Sequence, residues 1–136
     1  MVDCVFCKII RGDVSCKKVY EDKYAFAFLD ADPVNVGHTL VIPKKHFGTI
    51  EHMKKADFDG LSEAILKVGK GIMKISDGLN IMQNNGKVAG QVVPHVHFHL
   101  IPRFKDDGYL FDWKRDEKIT EKENDKFLKK IKSFLK

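Results

Sequence analysis

Long apolar segments are missing from this 136-residue chain, and no run approaches the roughly 20 residues that a membrane-spanning helix needs. The first ten residues, MVDCVFCKII, contain no basic stretch followed by a long apolar one, so we predict no signal peptide. No repeat, low-complexity tract or linker interrupts the sequence. We therefore expect a cytoplasmic protein with one domain and no membrane partner.

Cysteine is scarce, and the total of three is odd, which does not suit a framework of paired disulfides. Cys4 and Cys7 nevertheless form a CxxC pair. In a reducing compartment such a pair indicates metal binding or redox chemistry rather than a structural disulfide. Cys16 stands alone, and we expect it to be inert.

Neither sign of charge dominates, since 24 basic and 19 acidic residues give a net charge of +5. Most of the excess lies between Lys114 and Lys136, where nine basic residues outnumber five acidic ones. A basic stripe can bind nucleic acid. Here acidic residues interrupt it, and the solvated face of an amphipathic helix is the better interpretation. We expect no nucleic-acid partner.

The apolar spacing predicts an α+β domain with a largely antiparallel sheet, because successive strands mostly lack a helical crossover. A helix over 56–75 shows apolar residues at steps of three and four, which indicates one face on a core. The stripe comprises Phe58, Leu61, Ile65, Val68, Ile72 and Ile75. Gly69 and Gly71 weaken this helix but permit close backbone approach, and Asp77-Gly78 is its predicted stop.

The other predicted elements are a helical turn over Cys7–Arg11, a hairpin over Val19–Asp30 turning at Asp22-Lys23, a strand over His38–Ile42 stopped by Pro43, strands over Leu79–Gln83 and Val92–Ile101, and a helix from about Glu121. The last helix is expected to bury Phe127, Ile131 and Phe134 on one side.

Three of the six histidines lie in PHVHFHLIPR, at alternate positions 95, 97 and 99. On a strand these three side chains would share one face, about 6.6 Å apart, and form a displayed row. Val96, Phe98 and Leu100 would point to the core. The row is open to three interpretations: polar surface, ligands of a catalytic metal, or a nucleophile with two supporting imidazoles. An imidazole with a pKa near 6.5 has a free lone pair at pH 7 and needs no separate base.

A polar loop precedes the row and helps to choose among these interpretations. Residues 84–91 read NNGKVAGQ. Glycines in such a loop let backbone N–H groups turn toward an anion, which is typical of phosphate sites. Asn-Gly alone is also an ordinary hairpin turn. Beside a histidine row, the loop favours phosphorus chemistry.

The histidine strand resembles that of the histidine triad (HIT) family of nucleotide hydrolases and transferases. His95-Val96-His97-Phe98-His99-Leu100-Ile101 fits the family motif, in which histidines alternate with apolar residues, at every position. AFLD at 27–30, GHTLVIPKKH at 37–46 and AGQ at 89–91 extend the resemblance, which spans most of residues 4–113. The CxxC pair, IPRF and Trp113 are similar to the zinc-containing bacterial and archaeal branch. Only the C-terminal helical extension, about 119–136, is generic.

The resemblance implies a HIT-like fold, with a mainly antiparallel sheet of about five strands, one long helix packed on it and a C-terminal helix, in a single domain over 1–136. It also implies a mechanism, in which His97 attacks the α-phosphorus of a nucleoside phosphoramidate or dinucleoside polyphosphate. The covalent nucleotidyl-histidine is then hydrolysed to a nucleoside monophosphate such as AMP. His99 and His38 resemble the supporting imidazoles.

The family likewise implies which residues contact a purine nucleotide, most simply one carrying adenine. Asp30 would hold the ribose hydroxyls. The phosphate contacts would be Asn84 and the backbone around Gly90, Gln91 and Val92, and the candidates for the apolar base pocket are Phe6, Phe28 and Leu29. Many relatives carry Ser or Thr where this chain has Val92, so the preference for poor leaving groups is the property in doubt.

Family members of this branch hold a structural zinc ion. The corresponding ligands here are Cys4, Cys7, His46 and His95, a closed Cys2His2 set. His52 receives no role. Relatives pair as two-fold dimers, so a homodimer is expected, and no organic cofactor is. The alternatives are a nucleotidyltransferase or phosphorylase, a metalloenzyme with its ion on the triad, and a nucleotide-sensing protein without turnover.

Overall fold

One five-stranded antiparallel sheet organises the computed structural model, which describes residues 3–135. The strands are β1 (Lys18–Glu21), β2 (Ala25–Leu29), β3 (Thr39–Pro43), β4 (Gly78–Gln83) and β5 (Phe98–Arg103), in the spatial order β1-β2-β3-β5-β4. The helices are α1 (Val5–Arg11), α2 (Lys55–Met73) and α3 (Glu121–Phe134), with short 3-10 turns at Ile50–His52 and Lys87–Ala89. The predicted α+β architecture is confirmed. Over this range no helix is long and apolar enough to cross a membrane.

Strand β2 is buried on both of its faces because the sheet is covered from both sides. Ala25 and Ala27 belong to the core beneath α2, together with Val41 and Leu100. The alternate residues of the same strands, which include Phe26 and Phe28, pack instead with α1. The alternation of β2 was predictable from its sequence. Small residues of β2 therefore face α2, and aromatic residues face α1.

Helix α2 contributes Leu61, Ala64, Val68 and Ile72 to the core, largely as the apolar stripe predicts. The helix ends at Met73, two residues before the predicted end, and Ile75 is 80% exposed rather than buried. Gly69 does allow close approach, since a Cβ there would contact Leu79 at 3.4 Å. The same prediction is wrong for Gly71, around which nothing lies within 4 Å of a built Cβ.

The predicted histidine strand is wrong at its beginning. β5 starts at Phe98, so His95 and His97 lie in the bent segment that precedes the strand. Continuing the β3–β5 register would place Val96 opposite Pro43, which has no N–H to donate. The N–H of Val96 bonds instead to the carbonyl of Phe47, at 2.7 Å. The ladder therefore ends before the first two histidines.

Helix α3 begins where predicted, because Thr120 and Glu123 form a reciprocal capping box. Its apolar face is not buried, contrary to prediction: Phe127 is 64% exposed, Ile131 45% and Phe134 86%. No residue of α3 belongs to either hydrophobic core among the described residues. The 3.6-residue period established an amphipathic helix, but it could not establish what covers the apolar side.

Two glycines of α2 give a matched test of this packing. A Cβ at Gly60 would overlap the ring of Tyr24, whereas one at Gly71 would meet nothing. We expect Gly60→Ala to destabilise the fold by about 1–3 kcal/mol through overpacking. Gly71→Ala should stabilise it by about 0.5–1 kcal/mol, because alanine loses less backbone entropy in a helix.

The free energy of unfolding, measured by urea denaturation of both variants and the wild type, checks this pair. Equal effects of the same sign at the two positions would contradict the packing of Tyr24 against α2.

Candidate active site and metal centre

The histidines of the motif are covered rather than displayed as a row, which corrects the prediction from sequence: two are buried and the third is partly buried. His95 is inaccessible to solvent, His97 is only 6% exposed, and His99 is partly buried. The covering groups come from α1, whose Phe6 packs edge-on to the rings of His95 and His97, with centroids 5.8 and 5.2 Å away. Most of the surface of these rings therefore contacts specific neighbouring groups rather than bulk water.

One ring nitrogen of His97 is fixed by the backbone. Its Nδ1 lies 2.7 Å from the carbonyl oxygen of His95, which can only accept, so Nδ1 carries the proton and donates. The lone pair of the neutral ring then resides on Nε2. Over residues 3–135 no group hydrogen-bonds to Nε2, and no fully buried side-chain nitrogen or oxygen lacks a partner. Nε2 therefore reaches solvent although most of its ring does not.

His38 and His99 form a hydrogen-bonded pair whose direction is set by the main chain. The N–H of Val34 donates to Nδ1 of His38 at 3.0 Å, so the proton of His38 resides on Nε2. That Nε2–H donates to Nδ1 of His99 at 3.0 Å. The proton of neutral His99 is then on Nε2, and its ring centroid lies 4.9 Å from that of His97. A lone pair on His97 and an N–H on His99 thus occur in adjacent rings.

Burial keeps this pair neutral at physiological pH. It lowers the pKa of His99 to about 4, and the neighbouring imidazoles of His97 and His38 add to the effect. Burial also lowers the pKa of His38, although the carboxylate of Asp30, 3.5 Å from its Nε2, works in the opposite direction. Neutral imidazoles act as hydrogen-bond donors at one nitrogen and acceptors at the other, as this chain of contacts requires.

A cavity of about 580 Å³ opens beside His38. Phe28, Leu29 and Asp30, three of the predicted nucleotide contacts, line it. Phe6, predicted as part of the same base pocket, does not line this cavity and packs on the imidazoles instead. Cys16, expected to be inert, is exposed and lines the cavity. The cavity has the size of a small-molecule site, with apolar walls and a carboxylate at one side.

The side chain of Gln91 fixes the conformation of the loop before the triad through hydrogen bonds to the main chain. Its Oε1 accepts from the N–H of Gly86 at 2.7 Å, and its Nε2 donates to the carbonyls of Gly48 and Val93. Gly90 adopts a left-handed conformation with φ +92, which favours glycine, and a Cβ there would lie 3.5 Å from the amide of Asn84. Gln91 is therefore committed to the loop's shape, and Val92 beyond it is 87% exposed.

The predicted ligands Cys4, Cys7, His46 and His95 converge, with one donor atom from each within 4.8 Å of all the others. Nδ1 of His95 lies 3.5 and 3.7 Å from the two sulfurs, and 3.1 Å from Nδ1 of His46. Tetrahedral zinc, with Zn–S of about 2.3 Å and Zn–N of about 2.0–2.1 Å, separates S and N ligands by about 3.5 Å and two N ligands by about 3.4 Å. The spacing fits a metal of this kind.

The protonation of these groups also fits a cation. Nε2 of His95 lies 2.9 Å from the carbonyl of Pro43 and must donate, so the lone pair on Nδ1 faces the sulfurs. Burial lowers the pKa of His95 to about 4, and burial together with the Cys4 thiol raises the pKa of Cys7. Four donor atoms converge on one point, where a divalent cation would fit.

The triad does not form one ligand group. The clusters of the described residues that could hold a metal join His95 to the cysteines and His46, and join His99 to His38 and Asp30, while His97 belongs to neither. The interpretation of the row as ligands of one catalytic ion is therefore not supported by this geometry. His52, which received no role, is exposed and hydrogen-bonds to Thr49.

Sequence reasoning missed a network that holds the loop before His38. Asp107 accepts hydrogen bonds from both Nε and Nη2 of Arg103, at 2.9 and 3.0 Å, and from Nδ2 of Asn35 at 2.9 Å. We call these three residues the clasp. The contact between Asn35 and Asp107 spans 72 positions. Local patterns cannot reveal such a pair, and KDDG at 105–108 suggests only a turn.

Comparisons with known proteins agree with this geometry. Residues 11–106 match the model of the HIT domain. A HIT-like protein of Methanocaldococcus jannaschii is 44% identical over 130 residues, covering 95% of this chain and 98% of its own. The adenosine 5′-monophosphoramidase of Schizosaccharomyces pombe is 41% identical over 102 residues, covering 75% of each. A crystal structure of a HIT family member from Bacillus subtilis superposes with a TM-score of 0.90 at 37% identity, over 99% of both chains. The chain belongs to the HIT family.

Proposed function

We propose that this protein is a nucleotide hydrolase that attacks the α-phosphorus of nucleoside phosphoramidates or dinucleoside polyphosphates through Nε2 of His97. The observation that carries the proposal is the hydrogen bond from Nδ1 of His97 to the carbonyl of His95, at 2.7 Å, which leaves the lone pair on the nitrogen that reaches solvent. The phosphoramidase among the relatives supports hydrolysis as the class of reaction.

In the first step the Nε2 lone pair of His97 forms a bond to the α-phosphorus. The bond from phosphorus to the leaving amine or phosphate breaks, and the leaving group takes the electron pair. In the second step water attacks the same phosphorus and gives up a proton, which balances the proton that the leaving group takes up. The N–P bond breaks, and the nucleoside monophosphate departs while the imidazole is regenerated. Two displacements with a good nucleophile replace one difficult hydrolysis.

The His38–His99 pair would supply donors rather than charge. The carbonyl of His95 stabilises the positive charge that develops on His97 by accepting from Nδ1. Nε2–H of His99 is the donor available to a phosphate oxygen or to the leaving group. Its direction is fixed in advance by the bond that His99 accepts from His38. Donors fixed before the reaction stabilise a transition state without reorganisation, which is often a large part of catalysis.

The cavity beside His38 would hold the nucleoside. Asp30 has the position to accept from ribose hydroxyls, and Phe28 and Leu29 provide apolar wall for a base, which we take to be adenine from the phosphoramidase relative. Asn84 and the backbone of Gly90 and Gln91 would bind the phosphate. Val92 replaces a hydroxyl of many relatives, but its N–H remains. We therefore expect the protein to hydrolyse its substrates, but to react more slowly with those that have poor leaving groups.

We include a structural zinc ion, held by Cys4, Cys7, His46 and His95, in the proposal. When bound, the ion would neutralise the thiolates and crosslink the start of α1 to the segment before β5. A cytoplasmic location belongs to the same proposal, because a reducing compartment keeps the two thiols free.

A homodimer completes the proposal. Strand β4 is at one edge of the sheet, next to an apolar groove between β4 and α2 that includes Leu66, Met73 and Ile81. Leu66, Met73 and Ile81 are 59%, 49% and 51% exposed, and the apolar face of α3 is also uncovered in the single chain. Exposed apolar surface of this extent on a small domain is typical of a protein–protein interface.

Removal of the nucleophile tests the central step. We expect His97→Ala to reduce hydrolysis of adenosine 5′-monophosphoramidate at least about a thousandfold, since loss of a covalent nucleophile costs that much or more. His52→Ala, at an exposed histidine outside the site, should keep wild-type activity. Release of AMP is measured by chromatography, and the adduct is sought by rapid quench and mass spectrometry.

Retained hydrolysis in His97→Ala, with a normal circular dichroism spectrum, contradicts the assignment of His97. Adduct formation without water as the preferred acceptor indicates a nucleotidyltransferase or phosphorylase. Binding of AMP without an adduct or turnover indicates a sensing protein.

The buried pair makes stability depend on pH in a defined direction. The pKa of His99 is about 4 in the folded chain and near 6.5 in an unfolded one. Between these values the unfolded chain binds more protons than the folded one. The contribution of neutral His99 to the free energy of unfolding is therefore fully present above pH 6.5, and it is lost as the pH falls toward 4. Since His99 is only partly buried, we expect its share of this loss to be about 1–2 kcal/mol.

His99→Asn retains an acceptor for His38 but does not titrate. Urea unfolding at pH 7.5 and 4.5 should therefore show a smaller loss of stability for His99→Asn than for the wild type, and an unchanged loss for His52→Asn. Identical losses in all three proteins contradict the burial of a neutral His99.

The metal site predicts one zinc ion per chain. Cys7→Ser should lose most of the bound zinc and lower the melting temperature, because structural zinc contributes directly to folding. Cys16→Ser, at the exposed cysteine, should keep both. Metal content is measured by mass spectrometry after dialysis, and melting by calorimetry. Purification of metal-free wild type with an unchanged melting temperature contradicts the site.

A further inference from the structure

We infer that Asn35 and Asp107 are positioning residues of the active site, which act through the backbone of the loop before His38. Neither residue belongs to the histidine motif, the cavity or the metal cluster. The inference rests on the proposed function only for its kinetic readout, because its structural content concerns the protonation pattern of His38 itself.

The clasp is anchored in the sheet. Arg103 is the last residue of β5, and its Nη1 donates to the side chain of Asn80 in β4 at 2.8 Å. Its guanidinium also donates to the carbonyl of Tyr109 and lies over that ring, 4.7 Å from the centroid. These contacts place the guanidinium at the end of β5, beside β4, where it can hold a carboxylate by two parallel hydrogen bonds.

Asp107 collects donors from three parts of the chain. Besides Arg103, the N–H groups of Phe104 and Tyr109 donate to it, each at 3.0 Å, and Asn35 donates at 2.9 Å. The hydrogen bonds from Arg103 hold the pKa of Asp107 far below its usual range, and the backbone donors add to this effect. Asp107 is therefore a carboxylate in a fixed position, which requires a hydrogen-bond donor at position 35.

Asn35 transmits this position to the loop. Its Nδ2 bonds both to Asp107 and to the carbonyl of Pro102, while its own carbonyl accepts from the N–H of His38 at 3.1 Å. Gly37 in the same loop packs against Pro102 with φ +80, and a Cβ there would lie 3.2 Å from Pro102 Cγ. The loop is thus fastened to the β5 residue beside Arg103.

These contacts determine which ring nitrogen of His38 carries the proton. The N–H of Val34, the residue before Asn35, donates to Nδ1 of His38 at 3.0 Å and so places the proton on Nε2. That proton is the one His99 accepts. If the loop moves by even 1 Å, the hydrogen bond from Val34 is lost and His38 can adopt either of its two neutral tautomers. The N–H of His99 is then no longer directed toward the site.

The test compares Asn35→Ala and Asn35→Asp with Asn80→Ala. Asn35→Ala removes the donor, and Asn35→Asp places a second carboxylate beside Asp107 while keeping the size of the side chain. Asn80→Ala removes one partner of the same arginine but leaves both of its hydrogen bonds to Asp107 and its contacts with Tyr109 in place. It therefore controls for a general loss of stability. Proton–nitrogen NMR of the histidine rings reports which nitrogen of His38 carries the proton, and steady-state kinetics with adenosine 5′-monophosphoramidate gives kcat and KM.

We expect wild type and Asn80→Ala to show His38 protonated at Nε2 alone. Both Asn35 variants should show a mixture of the two forms and a kcat lowered about tenfold, with KM changed less. Wild-type ring signals in either folded Asn35 variant, or an equal effect in Asn80→Ala, overturn the inference. If the wild-type protein does not hydrolyse the phosphoramidate, the proposed function fails while the NMR comparison still decides the role of the clasp.

Discussion

The hydrogen bond between Nδ1 of His97 and the carbonyl of His95 is the interaction on which the rest of the site depends. It involves two residues of the same short segment, yet it needs His95 to be immobile. His95 is held by its own ring, which donates to Pro43 on one side and faces the sulfurs of Cys4 and Cys7 on the other. His95 thereby connects the N-terminal CxxC pair to the proposed nucleophile, His97, since it contacts both. The four candidate metal ligands and the histidine motif share His95, so they form one structural unit.

The protonation of the other two imidazoles of the site is also fixed by hydrogen bonds that begin at the main chain. A backbone N–H, which cannot change its protonation, determines the form of His38, and His38 determines that of His99. Burial prevents either ring from taking up a second proton near neutral pH. The His38–His99 pair is therefore neutral near neutral pH, and the carboxylate of Asp30, at the wall of the cavity, lies 3.5 Å from Nε2 of His38.

How far the sequence predicts this molecule depends on the distance over which each interaction acts. The period of α2, the alternation of β2 and the capping box of α3 are local, and each was predictable. The beginning of β5 was not, because Pro43 in another strand decides where the ladder ends. The sequence patterns identify the five imidazoles and two thiols of the site, but the burial of His97 and the contacts of Asn35 and Asp107 require the complete fold. The exposed apolar side of α3 needs information from outside the single chain.

The side chain of Gln91 is fully occupied with the main chain of its own loop, through Gly86, Gly48 and Val93. In the proposed function, an anion at this loop would therefore be bound by Asn84 and by peptide groups, and not by the side chain of Gln91. Position 92 can then vary in side chain without altering the cradle, whereas position 91 cannot. In the proposed function, a change at position 92 would alter the surroundings of the leaving group, whereas a change at position 91 would alter the loop that binds the phosphate.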